Sequence, residues 1–277
     1  MLEYKKVVVV TGASSGIGYQ TCKLIDKTKY IVYGTTRKKD NFDKLKEVGD
    51  NPYQLNLSNS KEIDKMIKFI YQKHGRINIL VNNAGFGDYA PLEFVQIKDF
   101  QYQLDINVTS VLNLIKQVVP IMREQQRGKI INIGSIAGKF SMFFGGCYHT
   151  SKYCIEAISE SLYLELKQFN INVSCVEPGV IKTPWVDIAM NHLDQYKHNE
   201  EYRDLIFKTK YLFKKLYNSR FGTNPIKVAN KINYIINCNN PRLKYAVGFG
   251  SHEIALLKKV LPDNAFYPLL YRIVDNI

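Results

Sequence analysis

Two groups of residues in this chain could do chemistry without a metal. Tyr148 and Lys152 stand four apart at the start of a helical pattern, so they share one helix face. A tyrosine titrates near roughly pH 10, and using it as acid and base at neutral pH requires lowering that by about three units, or about 4 kcal/mol. One cation at about 4 Å, with an effective dielectric near 20, supplies a comparable amount. Ser135, upstream at the end of an apolar run, is placed to reach the same substrate oxygen. The second group is Thr11-Gly12-Ala13-Ser14-Ser15-Gly16-Ile17-Gly18, between an apolar run and a helical pattern. Glycines there let backbone N–H groups approach a pyrophosphate, which the positive end of the following helix also attracts.

Both groups need a frame that brings distant segments together. Apolar runs at Val7–Val10, Tyr30–Tyr33, Asn78–Val81, Lys129–Ile133 and Ile171–Val176 read as strands buried on both faces. Helical patterns lie between them at Thr21–Ile25, Phe42–Val48, Lys61–Lys73, Phe100–Gln125 and Tyr148–Phe169. This alternation predicts an α/β fold, a doubly wound parallel sheet flanked by helices. No linker or repeat interrupts the first 180 residues, so residues 1–277 are expected to form a single domain. Beyond Pro178-Gly179 the pattern predicts a helical cover at about 185–220, a helix over Pro225–Ile236 and a strand at Tyr245–Val247. A C-terminal extension at about 240–277 carries helices near Glu253–Val260 and Tyr267–Val274, with Pro268 in the first turn of the last.

The end of the second strand bears on the nucleotide. An NAD site usually places a carboxylate there for the ribose 2′-hydroxyl, whereas a 2′-phosphate requires its absence and a nearby Arg. The chain reads Gly34-Thr35-Thr36-Arg37-Lys38-Lys39, hydroxyls and cations that suit a phosphate. NADP(H) is therefore expected, with Arg37 and Lys38 as its contacts. NAD(H) stays open, because Asp40 follows closely.

Taken in order, these motifs resemble the short-chain dehydrogenase/reductase family over essentially the whole chain. The matching pieces are TGASSGIG at 11–18, Asn82-Asn83-Ala84-Gly85, Asn107, Ser135, Tyr148 with Lys152, and Pro178-Gly179 with Thr183. The resemblance implies a Rossmann-like fold and a catalytic tetrad of Asn107, Ser135, Tyr148 and Lys152. In that scheme Tyr148 exchanges a proton with the substrate oxygen and Ser135 hydrogen-bonds it. Lys152 lowers the Tyr148 pKa and holds the nicotinamide ribose, while Asn107 supports a water leading to solvent. It also implies cofactor contacts by Gly12, Ser14, Ser15, Gly16, Ile17, Gly18, Asn83, Ala84, Gly85, Pro178, Gly179, Val180 and Thr183. Leu55-Asn56-Leu57 departs from the pattern, with Asn56 where the family usually carries an Asp facing adenine; its amide oxygen can still accept there, beside Leu57. His149 is expected on the helix surface.

Phe86, Met142, Phe143, Phe144 and Trp185 belong to segments expected to rim the reacting carbon, which favours an apolar substrate. The tail, Asn240–Gly248 and Leu256–Asp263, resembles the branch containing hydroxysteroid and retinol dehydrogenases, implying a bulky lipophilic alcohol or carbonyl compound. Family resemblance also implies a homo-oligomer, dimer or tetramer, joined through the two long helices. A catalytically idle dinucleotide sensor on the same fold is the alternative, against which the intact tetrad speaks.

The whole chain fits these expectations. Its 277 residues, 45% hydrophobic and 23% charged, are those of a globular protein. A net charge of +13 asks for an anionic partner. No signature of a nucleic-acid-binding module is present, so a phosphorylated dinucleotide is the expected partner rather than nucleic acid. Residues 191–277 nevertheless hold 14 basic against 7 acidic residues, +7 of the total. The block Leu256–Leu270, apolar with Lys258 and Lys259 inside it, suits a peripheral membrane contact or a subunit contact. Five scattered cysteines form neither a disulfide framework nor a metal-ligand cluster, no run of eighteen apolar residues occurs, and a cytoplasmic setting is expected.

Overall fold

A computed structural model describes residues 4–277; residues 1–3 of the expected domain lie outside the described residues. Seven strands form one parallel sheet: β1 (Lys6–Val10), β2 (Tyr30–Thr36), β3 (Asn51–Gln54), β4 (Ile79–Asn82), β5 (Gly128–Ile133), β6 (Ile171–Pro178) and β7 (Lys244–Val247). Their order is β3-β2-β1-β4-β5-β6-β7, so the direction of winding reverses between β1 and β4. That reversal opens a crevice at the carboxyl ends of the strands, where a doubly wound sheet binds its ligand. The expected fold is the one observed. β3 is an edge strand, half exposed and carrying Pro52, too polar to stand out as an apolar run.

Alternate strand residues feed two cores. Val7 and Val9 pack with α3 (Ser60–His74), α5 (Ser110–Glu124) and α6 (Gly146–Leu166) through Ile63, Met66, Leu114, Val118 and Ile155. Val8 and Val10 pack on the other side with α1 (Gly16–Leu24), α2 (Phe42–Glu47) and α9 (Pro225–Asn237) through Cys22, Leu45, Val228 and Ile232. All four valines are fully buried, which is why β1 reads as continuous Val rather than as an alternation. Helix ends follow local chemistry. The Asn59 side chain accepts from Lys61 N–H to start α3, and Gly75 at φ +66° ends it.

Two expectations change. The stretch 100–125 is not one helix: α4 (Ile97–Leu104) passes through a wider π-helical turn at Asp105–Thr109 before α5 begins. The turn draws Asn107 inward onto the backbone of Phe86. The last helix starts a turn early, so Pro268 lies in its interior: α11 (Asp263–Asp275) is anchored by buried Phe266, whose N–H bonds Pro262 carbonyl. Pro268 lacks an N–H for Asn264 carbonyl, but that residue is exposed and water can serve it. Of the remaining helices, α7 (Trp185–Asp194) and α8 (Arg203–Asn218) occupy the stretch expected to be helical at about 185–220, and α10 (Glu253–Val260) lies in the C-terminal extension. No described helix is long and apolar enough to cross a membrane.

Candidate active site

The β1–α1 turn is tied to the β4 end before any ligand is considered. Thr11 Oγ1 accepts from the N–H groups of Asn83 (3.0 Å) and Ala84 (3.1 Å), and Asn83 Nδ2 donates to Thr11 and Gly12 carbonyls. Gly12 sits at φ +65°, where a Cβ would come within 2.8 Å of Ala84 Cα. The close approach of two backbones is what this glycine permits. No side chain caps the start of α1 at Ser15, and its first turn carries no acidic residue. The first N–H groups of α1 are thus free to meet an anion. Gly12, Ser14, Ser15, Gly16 and Ile17 line the large cavity, together with Arg37, Leu57, Asn83, Ala84, Gly85, Pro178, Gly179, Val180 and Thr183. This narrow glycine cradle with unpaired N–H groups fits a dinucleotide.

Three expected cofactor contacts sit elsewhere. Gly18 is buried beneath the turn, against Gly12 and Asn83, so its smallness serves packing. Lys38 lies outside the cavity lining. The Asn56 oxygen already accepts from Ser58 N–H (3.2 Å) and Oγ (2.9 Å), and the residue lines a separate small cavity with Arg37, Tyr53 and Lys65.

The four residues of the proposed tetrad converge. Tyr148 and Lys152, one turn apart on α6, are both buried; Lys152 Nζ lies 5.7 Å from the Tyr148 ring centre and donates to Ile133 carbonyl (2.9 Å). Asn107 Nδ2 donates to Phe86 carbonyl (2.8 Å) and Ser151 Oγ (2.9 Å), while its Oδ1 accepts from Phe86 N–H (3.1 Å). Ser135 Oγ accepts from Ala137 N–H (3.1 Å). Electrostatics here differ from the expectation of a lowered tyrosine pKa. Burial pushes Tyr148 up to about 12, with the Ser135 hydrogen bond pulling it down by less. Burial also lowers Lys152 to about 8, opposed by the nearby Cys175 and Glu156. The lysine bonds a carbonyl rather than the phenol, and desolvation governs the tyrosine.

Behind this group Glu156, Cys175 and Glu177 come together in the core. Lys139 bridges both carboxylates (2.6 and 3.1 Å), and Lys244 pairs with Glu156 (3.1 Å), so lysine ammonium groups already hold the place of a cation. Sequence spacing gave no sign of this cluster because its members come from α6 and β6. His149 is buried, not on the helix surface: its Nδ1 faces the carbonyls of Ala137 (2.9 Å) and Phe140, and burial lowers its pKa. The neutral ring donates from Nδ1 and pins the loop that carries Phe140.

The cavity, about 960 Å³, extends from the glycine turn past Tyr148 to the C-terminal helices. Trp185 lies 4.8 Å from Tyr148 ring to ring, and Phe86 also lines the space. From the loop before α6 the lining residues are Phe140 and Met142 rather than Phe143 and Phe144. Phe144, at φ +61°, is buried against Tyr202, and Phe143 packs on Tyr271. The far wall is Leu212, Leu216, Ile254, Leu257, Leu270 and Ile273, from α8, α10 and α11. Asp88, 3.0 Å from His192 Nδ1, also lines the cavity with Asp99 and Gln195, polar exceptions in its lining.

Comparison with known proteins agrees with this geometry. Residues 6–192 match the family model for short chain dehydrogenases. A 3-ketodihydrosphingosine reductase from Bacteroides thetaiotaomicron is 34% identical over 261 residues, covering 94% of each chain. A short-chain dehydrogenase from Streptomyces avermitilis superposes with a TM-score of 0.82 at 25% identity, covering 99% of this chain and 98% of that one. Serine dehydrogenase, solved in closed form with NADP+, gives 0.73 at 25% identity, covering 87% and 94%. With the glycine cradle, the parallel sheet and the Tyr148–Lys152 pair in place, the chain belongs to the short-chain dehydrogenase/reductase family and is an oxidoreductase.

Proposed function

We propose that the protein is an NADP(H)-dependent reductase of a bulky apolar ketone or aldehyde, working in reverse on the corresponding alcohol. The observation that carries this reading is one continuous cavity, with Arg37 and the glycine cradle at one end, Tyr148 in the middle and aliphatic side chains at the other. The NADP+ bound to serine dehydrogenase and the long-chain ketone named for the Bacteroides relative support the cofactor and the substrate class. A nicotinamide cofactor held by the glycine cradle and Arg37 would supply the hydride. Asn107, Ser135, Tyr148 and Lys152 do the rest. Tyr148 gives its proton to the carbonyl oxygen that Ser135 also bonds, Lys152 returns protons to it, and Asn107 holds the Phe86 loop against α6. Trp185 and Phe86 exclude water above the reacting carbon.

The same reading makes the protein a cytoplasmic homo-oligomer joined through α5 and α6, which leave Leu112 (40%), Tyr153 (42%) and Leu164 (74%) exposed. Cofactor choice is tested by titrating the protein with NADPH and NADH and following protein fluorescence. NADPH is expected to bind at least about tenfold more tightly, the scale of a charge-assisted bidentate contact. Arg37→Asp should erase or reverse the preference, and equal affinities in the parent protein would refute it.

A further inference from the structure

The apolar arm of the cavity is not closed off from the exterior. Leu257 of α10, Leu269 and Ile273 of α11 and Ile188 of α7 line it, yet are 40–49% exposed, so its wall runs out onto the surface. Beyond this mouth α10 stays apolar. Leu256 and Val260, four apart on one face, are 63% and 69% exposed. A contiguous apolar patch of this kind marks a contact with something other than water.

Charge identifies the partner. Lys259 borders the Leu256–Val260 face, and Lys214, Lys215 and Arg272 project from α8 and α11. Among the described residues none of these four enters an ion pair, whereas the neighbouring acids are taken: Asp204 and Asp275 by Lys208 (3.1 and 3.2 Å), Asp263 by Lys258. Two acids are left, Glu253 in the first turn of α10 and Asp187 in the first turn of α7, against the four free cations. Docking a second copy through this rim would set like charges against each other. An anionic bilayer instead neutralises the cations and takes up the apolar side chains.

We propose that the α10–α11 rim docks the protein on an anionic lipid bilayer, with the cavity mouth facing the membrane so that an apolar substrate enters from it. The use of this surface rests on the apolar-substrate reading; its test does not.

The test is flotation of the full chain with phosphatidylcholine vesicles, with and without phosphatidylserine. The protein should float with the serine-lipid vesicles at low salt, and the bound fraction should fall at least about tenfold in phosphatidylcholine alone or at raised salt. Leu256→Asp with Val260→Asp, neither of which lines the cavity, should remove binding while NADPH affinity and turnover of a short water-soluble ketone stay at parent levels. Should that pair fail to fold in a thermal melt, Lys259→Glu must weaken binding on its own. No flotation of the parent at low salt overturns the proposal, as does undiminished binding by a folded rim variant. If the parent ignores vesicles and the double variant loses a subunit in sedimentation velocity, the rim is a contact between copies and the proposal is wrong. Failure of the substrate reading looks different: vesicle binding persists with no turnover of long-chain carbonyls.

Discussion

Burial shifts the Tyr148 phenol and the Lys152 ammonium in opposite directions. Tyr148 is pushed up to about 12 and Lys152 down to about 8, so the protein alone stabilises the neutral form of each. If Tyr148 is the proton donor, as proposed, Tyr148→Phe should keep NADPH binding and lower turnover by about 10²–10⁴-fold on any active carbonyl substrate. Turnover that survives would assign the proton to another group. Lys152 also gives a stability signature. Its folded pKa lies below the ordinary 10.5, so between about pH 8 and 10.5 the unfolded chain binds more protons and stability rises with pH. Urea unfolding at pH 7.5 and 9.5 should show a gain of about 2 kcal/mol in the parent that is missing from Lys152→Met. An equal pH dependence in both proteins would mean that the lysine is not desolvated.

Which elements were legible in the sequence follows from what each rests on. Strands buried on both faces announce themselves as apolar runs, and the glycine turn and the Tyr148–Lys152 spacing are local, so these were readable. Stretch 100–125 reads as one helix because residue types hardly distinguish an α-turn from a π-turn; what widens it is a contact with Phe86, distant in sequence. The buried Nδ1 bonds of His149 and the Phe144 backbone at φ +61° are likewise tertiary, and no spacing rule reaches them. The π-turn makes a testable claim. Asn107→Ala leaves the Phe86 N–H and carbonyl without their partner, at a cost of about 2–4 kcal/mol. Urea denaturation should record that loss, while a variant as stable as the parent would mean that this asparagine does not secure the 83–87 loop.

The whole molecule joins a glycine-lined cleft built from contiguous motifs to an apolar arm assembled from separate helices. Its charge divides in the same way, with Arg37 beside the glycine cradle and the +7 excess in residues 191–277. Trp185 and Phe86 could be nominated from their motif neighbours, but Leu212, Leu216, Leu270 and Ile273 meet only once α8 packs on α11. An arm lined by aliphatic side chains rewards each methylene it takes out of water by about 0.8 kcal/mol, which is about fourfold in kcat/KM if the gain persists in the transition state. A series of straight-chain methyl ketones should therefore show kcat/KM climbing about fourfold per carbon and levelling off once the arm is full. Ile273→Trp, placing a ring in that arm, should bring the plateau at a shorter chain without altering the rate for the shortest ketone. A series that is flat from the start, or a plateau unmoved by Ile273→Trp, would show that the alkyl chain does not lie between α8 and α11.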